Sequence, residues 1–232
     1  MEAMKKIFVI HGWTYSSDKW NEFVSLLKEK DFFPVLLNVP GLTEKTDIVW
    51  TLNNYVEWLK NTVGNEKAII VGHSNGGRIA LAFAAKYPDR LKQLILIDSA
   101  GVYHNELQIR LKRLLFRIVA KLGKKITSSE KLRSILYKVA RETDYKDATP
   151  QMRQTMANLI FTDITPYLNN ISVPTLIIWG DHDKSTPLVD GEILHKYIHD
   201  SKLVVIKNAK HSPHFTHAKE VCRDVLVELE KL

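Results

Sequence analysis

Short apolar runs alternate along this chain with longer stretches in which apolar residues recur every three or four positions. Runs at about 5–10, 34–38, 68–71, 92–97, 174–179 and 203–206 lack the polar alternation of a half-exposed strand and read as strands buried on both faces. Helical spacing fills the intervals. It covers about 20–30, with Trp20, Phe23, Val24 and Leu27 on one face, and about 47–62, carrying Trp50, Tyr55 and Trp58. It returns over 76–86, near 189–198 and from about 214. Strands alternating with helices predict an α/β fold: a mostly parallel sheet of about six strands with helices on both faces. Sites in such sheets lie outside the carboxyl ends of the strands.

Residues 102–165 break the rhythm. They hold no convincing strand, and their leucines keep helical spacing at Leu111, Leu114, Leu115, Ile118, Val119 and Leu122, then at Leu132, Ile135, Leu136 and Val139. The chain therefore reads as one domain, 1–101 with 166–232, carrying a helical insertion at 102–165.

The third apolar run enters Gly72-His73-Ser74-Asn75-Gly76, and a helical pattern follows at once. This is the G-x-S-x-G nucleophile elbow in its strand-to-helix setting. It makes Ser74 a candidate nucleophile on a strained turn, with Gly72 and Gly76 removing side chains that would strike the neighbouring strand and helix. The backbone N–H of Asn75, the next residue, becomes a candidate donor to an oxyanion. A serine hydroxyl needs a base, and the base needs an orienting acid. Both follow strands downstream: Asp181-His182-Asp183 after the fifth run and His211 after the sixth. His211 is the candidate base, and Asp183 or Asp181 the acid.

The segments Val9-Ile-His-Gly-Trp13, Gly72 to Gly77, Tyr87-Pro-Asp-Arg90, Leu94 to Gly101, Val173 to Pro187 and Lys210-His-Ser-Pro-His214 occur in this order. In them the chain resembles the α/β-hydrolases of the esterase/lipase-like family. The resemblance covers 5–101 and roughly 163–231. It implies that the acid is the Asp of a Gly-x-x-Asp-x-x-x-Pro pattern, which Gly180, Asp183 and Pro187 match, with Asp98 as the alternative. It implies a second oxyanion donor in the N–H of Trp13, with Gly12 allowing close approach. It implies that 102–165 is a cap over the site, and, with no hairpin ahead of the first strand, a trimmed sheet edge. The implied activity is cleavage of a carboxylic ester or thioester by a Ser74–His211–Asp183 triad through an acyl-enzyme, without a cofactor. A carbon–carbon hydrolase or an acyltransferase could use the same triad. Carbon–carbon hydrolases of the family usually carry Asn before the serine, where this chain has His73. A non-catalytic binding protein on the same scaffold is the reading from another class.

Charge sharpens one point. The chain carries 33 Lys and Arg against 26 Asp and Glu, a net +7, while 102–165 alone holds 13 against 6. The insertion thus carries the whole excess. Arg110, Arg113, Arg117, Lys121 and Lys124 fall near one helical stripe, which is either a solvated face or a docking surface for something anionic, such as an acyl carrier protein. No nucleic-acid motif accompanies it. His211, His214 and His217 are spaced like metal ligands, but the elbow chemistry needs no metal and none is expected. No apolar run approaches the roughly 20 residues that span a bilayer. The single cysteine, Cys222, lies in a helical pattern and excludes an internal disulfide. Cytoplasm is the expected location.

Overall fold

The computed structural model describes residues 5–14, 16–103 and 148–232. Its strands are β1 (Lys5–Ile10), β2 (Phe32–Leu36), β3 (Ala68–His73), β4 (Leu91–Ile97), β5 (Thr175–Gly180) and β6 (Ser201–Ile206). They form one sheet in the order β2-β1-β3-β4-β5-β6, and every neighbouring pair is parallel. The described helices are α1 (Asn21–Lys28), α2 (Leu52–Val63), α3 (Asn75–Lys86), α4 (Pro150–Ile160), α5 (Leu188–Tyr197), α6 (Pro213–Thr216) and α7 (Ala218–Leu229). The six-stranded parallel sheet with helices is the architecture the periodicity predicts. The predicted cap helices around Leu111–Leu122 and Leu132–Val139, and the basic stripe from Arg110 to Lys124, lie outside the described residues.

Strand residues alternate between two cores. Ile70, Leu94, Leu96 and Ile177 face one layer with Tyr55 and Leu59 of α2 and Ile79 and Phe83 of α3. Ile69, Val71, Ile95 and Ile178 face the other, with Phe23 and Leu27 of α1 and Val221 and Val225 of α7. Every residue of β3 and β5 is buried, which is why these strands read as unbroken apolar runs. The edge strand β6 is instead mostly half-buried or exposed, with Ile206 its one buried residue. It starts before the predicted 203 because Ser201 and Lys202 carry no apolar signal, and Lys202 pairs with Glu228 of α7 at 2.8 Å.

Two helices begin or break where side chains dictate. The helix predicted from 47 starts at Leu52, because Thr51 and Asn54 form a reciprocal capping box. Trp50 lies ahead of it, and its N–H donates to Thr155 of α4 at 2.9 Å. The last predicted helix is split at His217 into α6 and α7. Helix α4 sits on the body: Met152 and Leu159 share the core with α2 and α3, and the Arg78 guanidinium of α3 donates to the carbonyls of Leu159 and Thr162.

The chain runs from β1 outward to β2, then returns past β1 to β3. The crevice between the carboxyl ends of β1 and β3 is therefore a switch point of the sheet, where such folds hold ligands. Helix α3 is seated tightly there. A Cβ on Gly76 would lie 2.6 Å from the His11 carbonyl oxygen and 2.7 Å from the Ile10 carbonyl carbon, both backbone. Gly76→Ala should therefore lower stability by about 3 kcal/mol. The check is urea unfolding, with a lower midpoint at unchanged slope. An unchanged midpoint would show that α3 can back away from β1.

Candidate active site

Ser74 follows β3 directly and precedes α3, with φ 53° and ψ −118°. Side-chain-bearing residues avoid this left-handed region. Three backbone bonds hold the turn: Ser74 N–H donates to Ile97 at 3.2 Å, and the N–H groups of Ala100 and Arg78 donate to the Ser74 carbonyl at 2.9 and 3.1 Å. A Cβ on Gly72 would lie 2.7 Å from Gly77 Cα, so only glycine lets the helix start this close to the strand.

The loops after β5 and β6 converge on Ser74. The hydroxyl of Ser74 lies 2.9 Å from His211 Nε2, and His211 Nδ1–H donates to Asp183 Oδ2 at 2.7 Å. The Asp183 side chain is fully buried, whereas that of His211 is 27% exposed. Asp183 Oδ1 accepts the N–H groups of Ser185 and Thr186, and Oδ2 accepts the Thr186 hydroxyl at 2.7 Å. Those donors fix the carboxylate and leave Oδ2 aimed at the imidazole. Asp181 and His182 are exposed. Asp98 accepts the Gly180 N–H at 2.8 Å and has no hydrogen bond to His211. Of the three candidate acids, the structure brings Asp183 onto the base.

The β1 loop closes the other side. A Cβ on Gly12 would lie 2.9 Å from Ser74 Cβ. His11 is buried; its Nδ1–H donates to the Gly12 carbonyl and its Nε2 accepts the Thr43 hydroxyl, each at 2.8 Å. Thr43 in turn accepts the Val39 N–H at 2.9 Å. The Gly12 carbonyl and the Trp13 N–H belong to one planar peptide and point in opposite directions. Holding the carbonyl therefore aims the Trp13 N–H. On the far side, Asn75 is the first residue of α3, so its N–H has no partner within the helix. Trp13, Ser74 and Asn75 all line one cavity of about 450 Å³, roofed on one side by Met156, Leu159 and Ile160 of α4.

Sequence reasoning missed three supporting residues. Thr43 and Thr186 act from positions that no motif marks. His73, which precedes the nucleophile, donates its Nε2–H to the His211 carbonyl at 2.8 Å and so fixes the base's backbone. Among the described residues, the group that could gather a metal is His73, Asp98 and His211, whose ligand atoms lie within 4.8 Å of one another. Both ring nitrogens of His211 are already taken by Asp183 and Ser74. His217 is half-buried, its Nδ1 bonded to the Thr216 hydroxyl, and outside that group.

The family model for the alpha/beta hydrolase fold matches residues 6–119 and 130–218. This chain belongs to the α/β-hydrolase fold family. It is 26% identical over 246 residues to a pimeloyl-[acyl-carrier protein] methyl ester esterase of Wigglesworthia glossinidia brevipalpis, covering 96% of this chain and 92% of that protein. It is 24% identical over 243 residues to a 2-hydroxy-6-oxo-6-phenylhexa-2,4-dienoate hydrolase of Comamonas testosteroni, covering 94% and 85%. A thermophilic esterase from Thermogutta terrifontis shares the fold, with a TM-score of 0.74 and 24% identity over 98% of this chain and 90% of that one.

Buried titratable groups surround the α/β-hydrolase site. Desolvation holds His73 well below the usual histidine range, helped by the neighbouring His214 and His211. Desolvation also lowers His214, stacked 4.0 Å from the Trp20 ring, to about 3. Both are neutral near pH 7. Asp98 shifts the other way: burial, then the charge of Asp183, pushes its carboxyl up to about 8 against the pull of the Gly180 N–H. The folded protein keeps a proton here that the unfolded chain, titrating near 3.8, has released. That contribution to stability is complete below the unfolded value and is lost as pH rises through the folded one. Asp98→Asn keeps an acceptor for Gly180 and removes the titration. Urea unfolding should show wild type losing stability relative to the variant between about pH 5 and about pH 8. A constant difference over that range would mean that Asp98 is ionised in the fold.

Proposed function

We propose that the protein is a serine hydrolase that cleaves a carboxylic ester or thioester through an acyl-enzyme. The hydrogen-bonded chain Ser74–His211–Asp183 carries this reading. His211 Nε2 takes the Ser74 proton as Oγ attacks the ester carbonyl. The carbonyl oxygen becomes an oxyanion, received by the N–H groups of Trp13 and Asn75 and by the free amide end of α3. His211 then gives its proton to the departing alcohol or thiol. Water, deprotonated by His211, attacks the acyl group, and collapse returns the proton to Ser74 Oγ. Asp183 holds the Nδ1–H tautomer and stabilises the imidazolium, fixed in place by Ser185 and Thr186.

Residues 102–165 form the cap of this reading, over a core of 1–101 and 166–232. Support comes from its C-terminal part, where Met156, Leu159 and Ile160 line the cavity. The relatives named for esters of an acyl carrier protein, with 13 basic and 6 acidic residues in 102–165, support such a carrier as the anionic partner. Among the described residues no helix is long and apolar enough to cross a membrane, and Cys222 is a buried free thiol; both are in keeping with a cytoplasmic enzyme.

A fluorophosphonate should give one adduct, at Ser74, by peptide mapping. Ser74→Ala should cut kcat on p-nitrophenyl esters by about 10⁴-fold or more, and Asp183→Asn by about 10³- to 10⁴-fold, with folding unchanged. Turnover retained in Ser74→Ala would overturn the assignment.

A further inference from the structure

Nineteen of the described residues line the cavity above Ser74, and none of these is a carboxylate. Two are permanent cations, Lys19 and Arg78. Arg78 is engaged with the carbonyls of Leu159 and Thr162, which fasten α4 to α3. Lys19 is different. It lies on the 3-10 turn Asp18–Trp20, exposed, with its ammonium 5.9 Å from the centre of the Phe215 ring. Its charge reaches inward far enough to disfavour protonation of His214. Among the described residues no carboxylate stands within ion-pair distance of it. The neighbouring Asp18 is held by the Ser16 hydroxyl at 2.8 Å and does not line the cavity. Asp183 lies behind His211, with its charge consumed by buried donors.

Among the described residues, the wall thus offers positive charge with no competing carboxylate, and apolar surface from α4. We infer that Lys19 is a specificity-determining residue, reading an anionic group, carboxylate or phosphate, on the ester cleaved at Ser74. The inference rests on the serine-hydrolase reading and goes further by giving the substrate a charge. A lysine suits the task as a mobile point charge on a long stem, able to meet either anion without the fixed fork of an arginine. The face of Phe215 supports the ammonium on one side and leaves the other for the substrate.

Two matched pairs of esters test this. Monomethyl glutarate and methyl pentanoate share chain length and differ by a carboxylate on the acyl side. The butyryl esters of glycerol 3-phosphate and of glycerol differ by a phosphate on the alcohol side. Wild type should favour the charged member of at least one pair in kcat/KM, and the pair that responds identifies the anion. In Lys19→Met the charged-to-neutral ratio should fall about fivefold, and Lys19→Glu should invert it. Raising the salt concentration should shrink the wild-type ratio. Equal turnover within both pairs, or a ratio that the Lys19 variants leave unmoved, overturns the role of Lys19 while the hydrolase reading stands. No turnover of any ester and no fluorophosphonate adduct at Ser74 overturns both.

Discussion

The site depends on one unfavourable backbone conformation. Ser74 sits at φ 53° with a side chain, a state that costs on the order of 1–3 kcal/mol. It persists because the chain on both sides cannot move. Strand β3 is fully buried, α3 is seated against the end of β1, and three backbone hydrogen bonds clamp the turn. The sheet core thus supplies the stability that keeps one hydroxyl proud of the surface. The same turn leaves the first amides of α3 unpaired beside it, so strain and electrostatic preorganisation arise from a single local geometry.

Four histidines meet around this turn, and three of them serve by staying neutral. His11 aims a peptide, His73 anchors the His211 backbone, and His214 stacks on Trp20. Burial keeps all three below the normal range. Their neutrality matters for His211, whose ring lies 5.0 Å from that of His73. A charged His73 would repel the imidazolium that the reaction must form. Burial raises the carboxyl of Asp98, which accepts the Gly180 N–H, while Asp183 is the carboxylate hydrogen-bonded to the base. Two carboxyl groups at adjacent strand ends are thereby given different roles by their surroundings alone.

What was legible in the sequence is what local pattern encodes. The buried strands announce themselves as apolar runs, and Ser74 as a serine between glycines where a strand gives way to a helix. His211 follows from its place after the last strand. The choice of Asp183 over Asp181 needed the family pattern, because two aspartates separated by one residue look alike until the loop folds and turns one inward. Trp50 looked helical because its spacing fits α2, but Thr51 captures the helix start and leaves Trp50 to bond α4. Thr43, Thr186 and the bond of His73 were illegible for another reason. Each pairs groups between 3 and 138 positions apart in the chain, through hydroxyls or ring nitrogens that are common everywhere in proteins. Only the assembled loops give them meaning.

Charge placement links the triad to the cavity. A triad needs an anion near its base, yet an anion facing the cavity would oppose the oxyanion that the reaction creates. The fold separates the two by depth. Asp183 is fully buried behind the ring of His211, and its two oxygens are covered by donors from the backbone, Thr186 and His211. The imidazole transmits its orienting effect, while the wall that meets substrate carries amides, hydroxyls, Lys19 and Arg78. The described groups therefore favour negative charge where the proposed reaction develops it. The buried acid and the absence of carboxylates from the described part of the wall are two consequences of setting the base between them.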